Sequence, residues 1–95
     1  MNKLLQKSIT YLDEKGFKHN LLGFDYILEA ISLVANNRNY LRNITKMLLP
    51  DIAEHYDTTP SRVDRAIRHA IKLCGIKMTN SEFIAKAVDD IVYFR

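Results

Sequence analysis

The chain has 95 residues, 47% hydrophobic and 26% charged, with a formal net charge of +3. That is one domain's worth of sequence, and its three glycines and two prolines argue against disorder. No apolar run is long enough to span a bilayer or to form the core of an export signal, so a cytoplasmic protein with no membrane partner is expected.

Apolar residues recur at helical spacing along almost the whole chain, while strand-like alternation is nearly absent. Residues 2–15 place Leu4, Leu5, Ile9 and Leu12 on one side, and Gly16 supplies a stop. A second helix starts near Asn20 or Leu21, runs through Phe24, Ile27, Leu28, Ile31 and Val34, and ends in the polar "NNRN". A third, over residues 40–56, aligns Leu41, Ile44, Leu48 and Ile52 but contains Pro50, so a kink or break is predicted between Leu49 and Pro50. The fourth has Thr59 as N-cap, Pro60 as first helical residue and Gly75 as terminator. Thr79 and Glu82 then form a T-x-x-E capping box, with Met78 and Phe83 in the positions of a hydrophobic staple, and a last helix follows. The expected fold is all-α: one domain over residues 1–95, a compact bundle of five to six helices, with a helix-turn-helix at about 50–74. Phe94, at the tip, reads as packed or as part of a partner surface.

The fourth helix, "PSRVDRAIRHAIKLCG", carries the functional signal. At about 100° per residue, Val63, Ala66, Ile67, Ala70, Leu73 and Cys74 fall on one side. Arg62, Arg65, Arg68, His69 and Lys72 fall on the other, with Ser61 and Asp64 at its edges. Asp64 is the one acid on that face, so intrahelical ion pairs do not account for the arginines. Arg62 and Arg65 also put positive charge near the positive end of the helix dipole, a local cost that a negatively charged ligand offsets. In a helix-turn-helix this second helix enters the major groove of double-stranded DNA. Arginine forks match guanine O6 and N7, and an aspartate accepts from cytosine N4. Thr58, Thr59, Ser61 and the free N–H groups of the helix start suit a phosphate, with Lys72, Lys77 and Lys46 as outlying contacts.

Three stretches, "SITYLDEKGFKHNLLGFDYILEAI", "ITKMLLPDIAEHYDTTPSRVDRAIRHAIK" and "TNSEFIAKAVDDI", together resemble one family. It is the C-terminal DNA-binding effector domain of the response regulator that initiates sporulation in endospore-forming bacteria, the stage 0 sporulation protein A family. The resemblance implies a helix-turn-helix that binds boxes of the TGTCGAA type and regulates transcription, often as tandem dimers. It puts base contacts on Arg62, Asp64, Arg65, Arg68 and His69, and phosphate contacts on Thr58, Thr59, Ser61, Lys72 and Lys77. Asp64 stands where the family more often has Glu. The resemblance also implies dimer contacts from residues 81–92, with Phe83, Ile84, Ala87, Val88 and Ile91 as the face. Two departures are visible. Only "LCGIKM" joins the recognition helix to "TNSEF", where the family has a longer segment with an extra short helix. The full-length regulator of that family also carries an N-terminal receiver domain that these 95 residues do not include, so either a stand-alone copy or a domain excised from a longer chain is expected.

An enzyme is not expected. His19, His55 and His69 are far apart, and no cysteine or carboxylate pair shares metal-ligand spacing with them, so no metal, cofactor or small-molecule substrate is expected. His69 and Cys74 lie on opposed faces of one helix and cannot act as a nucleophile–base pair; Cys74 reads as a small core residue. Tyr40 and Tyr56 are secondary hydroxyl donors to phosphate. A competing reading makes the chain an interaction module that pairs with a full-length regulator through the apolar stripe of its last helix, including Val92.

Overall fold

The computed structural model describes residues 2–93, and Phe94 lies outside them. These residues form six α-helices and no strand: α1 Lys3–Glu14, α2 Leu22–Asn36, α3 Asn39–Arg42, α4 Leu49–His55, α5 Pro60–Leu73 and α6 Asn80–Tyr93. Helix α1 starts where Asn2 Oδ1 accepts from the N–H groups of Leu4 (2.7 Å) and Leu5 (3.2 Å). It stops at Gly16, whose φ of +91° lets the Phe17 N–H reach back to the Leu12 carbonyl at 3.0 Å.

The predicted third helix is divided, but not where proline alone would divide it. The break falls at Asn43 (φ −138°, ψ 52°), between α3 and a π-helical turn over Ile44–Leu48. In that wider turn the Leu48 N–H bonds the Asn43 carbonyl at 3.1 Å, five residues back. Pro50 thus falls in the first turn of α4, where a missing N–H costs nothing. The backbone stays helical through Leu48 and Leu49, so the predicted break at Leu49–Pro50 is replaced by a π turn that runs directly into α4.

Helix α2 is the hub and packs against every other helix. Its Phe24, Ile27, Ala30, Ile31 and Val34 are buried in a core shared with Leu12, Leu48, Ile52, Val63, Ile67 and Ile91. Each fully buried Leu or Ile contributes about 1.5–3 kcal/mol relative to exposure. The closest approach lies at the start of α2: a Cβ on Gly23 would stand 2.3 Å from the Ala66 carbonyl oxygen and 2.7 Å from the Ala70 Cβ. The backbones of α2 and α5 therefore touch, and no side chain fits between them.

At the other end of the core, α6 is tied to α1. The buried Tyr11 hydroxyl donates to Asp90 Oδ2 at 2.7 Å, and Lys86 Nζ lies 3.3 Å from the same oxygen. The Tyr11 hydrogen bond, then Lys86 and Lys15, hold the Asp90 carboxyl below the usual carboxylate range against an opposing desolvation. A depressed pKa contributes stability that is fully present above the unfolded value, about 3.9, and is lost as pH falls through the folded value.

Two outcomes are expected. Gly23→Ala should lower stability in a urea titration by about 1–3 kcal/mol, because overpacking against backbone outweighs the helix propensity that alanine adds. A midpoint that is unchanged or raised contradicts the close approach. Tyr11→Phe should move the Asp90 titration, followed by carboxyl NMR, up towards the ordinary range and shrink the stability lost on acidification; an unmoved titration contradicts the assigned cause.

Candidate nucleic-acid interface

Helices α4 and α5 form the helix-turn-helix. The turn between them is a Schellman closure: the Thr58 N–H bonds the Ala53 carbonyl at 2.9 Å, and the Asp57 N–H bonds Glu54 at 3.3 Å. The residue that must be left-handed is Asp57 (φ 52°), and aspartate accepts this better than most side chains. Helix α5 begins as its sequence predicts, with Thr59 Oγ1 accepting from the Arg62 N–H at 3.2 Å and Pro60 in the first turn. The Thr59 carbonyl takes the Val63 N–H at 3.0 Å, so the cap leaves the Ser61 N–H as the outward donor of this turn. The helix ends at Leu73, with Cys74 as cap and Gly75 in the left-handed position after it (φ +72°).

Val63, Ile67, Ala70 and Ile71 are buried beneath α5, while Ser61, Arg62, Arg65, Arg68, His69 and Lys72 are exposed on its outer side. The helical-wheel assignment needs one correction. Ile71 belongs to the apolar side, and Leu73, placed there by spacing, is 57% exposed. The two flank the stripe on opposite sides. The chain closes the end of α5 with the Ile76 N–H bonding the Ile71 carbonyl at 3.4 Å. Cys74 packs half-buried against the core, and burial pushes its thiol pKa up, which disfavours a reactive thiolate.

Among the described residues no carboxylate pairs with Arg62, Arg65 or Lys72. Arg68 differs, because its Nη2 pairs with Asp64 Oδ2 one turn earlier. The expectation that ion pairs do not explain the arginines therefore fails for Arg68. Thr58 is half-buried and Thr59 is exposed at the start of α5; Lys77, exposed, shares the wall of the groove with Arg68 and Lys72, while Lys46 is exposed on the π turn. Tyr40 is engaged elsewhere, its hydroxyl donating to Asp51. His55, on α4, pairs with Glu29 at 3.1 Å and does not join the face. An open groove of about 1100 Å³ runs along one flank of α5, between the π turn and the start of α6, with Arg68, Lys72 and Lys77 on its wall.

The last helix is built as its sequence predicts. The Thr79 N–H donates to Glu82 Oε1 at 2.9 Å, and the Glu82 N–H donates to Thr79 Oγ1 at 3.1 Å. The Thr79 backbone N–H, and after it the Thr79 hydroxyl, hold the Glu82 carboxyl below its ordinary range. Its apolar stripe is not a free surface, however. Phe83, Ile84, Ala87, Val88 and Ile91 are each at most 2% exposed, packed into the chain's own core. Only Val92, at 45%, is exposed from that stripe. The dimer face expected from these residues, and the interaction module built on it, lose the surface they require. Sequence spacing also gave no sign of Asn80, whose side-chain amide reaches the Asp64 backbone carbonyl (3.0 Å) and carboxylate (2.9 Å) across 16 residues of chain. Its place just after the N-cap looks like ordinary helix-start chemistry, and only the tertiary contact singles it out.

A family model described as "Sporulation initiation factor Spo0A C terminal" matches residues 9–75. The chain belongs to this family. Spo0A C-terminal domains are DNA-binding effector domains of sporulation control, and the family is not an enzymatic one. The match takes in the helix-turn-helix and closes at Gly75, so α6, with its "TNSEFIAKAVDDI" stretch, lies beyond the Spo0A-matched residues. Among the described residues no group of three or more His, Cys, Asp or Glu is placed to hold a metal ion, and no helix is long and apolar enough to cross a membrane.

Proposed function

We propose that this chain is a sequence-specific DNA-binding regulator of transcription in sporulation control, acting in the cytoplasm, with α5 lying in the major groove. The observation that carries the reading is the outer face of α5, where Arg62, Arg65 and Lys72 stand exposed without an acidic partner among the described residues. Charges left unneutralised on a helix that follows a tight turn suit a polyanion with a groove. Arg62, Arg65, Arg68 and His69 face the base edges in this reading. Thr58, Thr59, the Ser61 N–H and hydroxyl, Lys72 and Lys77 hold phosphates on either side. Family membership supports DNA as the ligand. The reading includes two copies on adjacent boxes, meeting through surfaces other than the buried stripe of α6.

Fluorescence anisotropy at two salt concentrations, with a duplex carrying a TGTCGAA-type box and a scrambled one, tests this. Arg65→Ala should cost about 1–3 kcal/mol on the boxed duplex and narrow the gap to the scrambled one. Lys72→Ala should weaken both duplexes alike and reduce the slope of log K against log salt by about one. Equal affinity of the unmutated chain for both duplexes sinks specific readout, and binding to neither sinks DNA as the ligand.

A further inference from the structure

Asp64 lies within the basic face, yet both its carboxylate oxygens are occupied. Oδ2 pairs with Arg68 Nη2, and Oδ1 accepts from Asn80 Nδ2 at 2.9 Å. The same Asn80 amide donates to the Asp64 backbone carbonyl at 3.0 Å, so it grips the residue at two points. Asn80 is the first residue of α6, whose start is fixed by the Thr79–Glu82 capping box. A rigid element thus holds the carboxylate, and the carboxylate holds one edge of the guanidinium. Arg68 is 64% exposed against 31% for Asp64, so the acid sits beneath the arginine. With Nη2 engaged, the remaining guanidinium donors stay available for an acceptor outside the protein. A long side chain fixed before binding loses less freedom on contact, which sharpens its geometry towards one base.

We infer that Asn80 and Asp64 form a brace that sets Arg68 for base readout, so that Asp64 acts on DNA through Arg68 and does not itself touch a base. This rests on the DNA-binding reading above. Asn80 is then a positioning residue for specificity, supplied from outside the residues that match the family. It carries no charge and sits on another helix, so it affects which base is preferred without altering the electrostatic attraction to phosphates.

The test uses Asn80→Ala, Asn80→Asp, Asp64→Ala, Arg68→Ala and the double variant Asn80→Ala/Asp64→Ala, each checked for folding by thermal melt. Asn80→Asp keeps the shape, removes the donor and sets a second carboxylate against Asp64, so it should release the brace more fully than Asn80→Ala. In the free chain, nitrogen NMR should show slowed rotation of the Arg68 guanidinium, and this should be lost in the Asn80 and Asp64 variants. On duplexes with the TGTCGAA-type box changed one base pair at a time, both Asn80 variants, Asp64→Ala and Arg68→Ala should relax preference at the same base pair. The loss should be on the order of tenfold. The double variant should be no worse than either single, and Asn80→Ala should leave the salt slope unchanged. The inference is overturned if Asn80→Ala moves neither the Arg68 signals nor the preference. It is equally overturned if Asp64→Ala relaxes a different base pair from Arg68→Ala, since Asp64 then reads DNA directly. Equal binding of boxed and scrambled duplexes by the unmutated chain overturns the DNA reading and with it the brace's role; the Arg68 signals separate that failure from failure of the brace itself.

Discussion

The contact on which the rest of the molecule depends is the touching of two backbones at Gly23. There α2, the hub of the core, meets Ala66 and Ala70 of α5 with no room for a Cβ. Small residues on both sides let the helices approach until Val63, Ile67 and Ile71 are buried. Once that side of α5 is pressed down, its opposite side has to face solvent, and the arginines lie on that side. A larger residue at position 23, 66 or 70 would lift or roll α5 and re-aim every side chain on the outer face together. The orientation of the basic face is thus decided by the least polar part of the helix.

The electrostatics of the face follow from how few acids reach it. Arg62 stands in the first turn of α5, where no acidic residue accompanies it and the helix dipole opposes its charge. A solvated face would ordinarily intersperse charges of both signs, and here the one acid, Asp64, is drawn beneath Arg68 and onto Asn80. What remains outward is positive charge on a convex helix beside a capped turn, a shape and sign that match a DNA groove. The last helix serves this arrangement from behind: its apolar stripe completes the core, and its first residue reaches the recognition helix.

Much of this was legible in the sequence because it is set by local chemistry. Thr59–Pro60, Gly16, Gly75 and the Thr79/Glu82 box mark helix ends through hydrogen bonds made within a few residues, and those ends stand where spacing puts them. What was not legible depends on neighbours distant in the chain. Pro50 predicts a break, but the helical run is interrupted at Asn43, and a π turn joins it to the helix that contains Pro50. Ile71 and Leu73 lie on either flank of one stripe, and only the tertiary packing shows which of them is buried. The stripe of α6 has the same pattern whether it covers its own core or a partner, and only the packing shows that it is the core. Asn80 is the plainest case, since a contact spanning 16 residues leaves no mark on periodicity.

Mapping amide NMR shifts as a duplex is added decides whether the outer face of α5 reads DNA. With a TGTCGAA-type box, shifts should concentrate over residues 58–72 and around Lys77. The buried stripe from Phe83 to Ile91 should stay still, and a scrambled duplex should give weaker shifts that vanish as salt is raised. Shifts centred on α1 or the outer side of α6, or identical maps for both duplexes, would contradict DNA reading by that face.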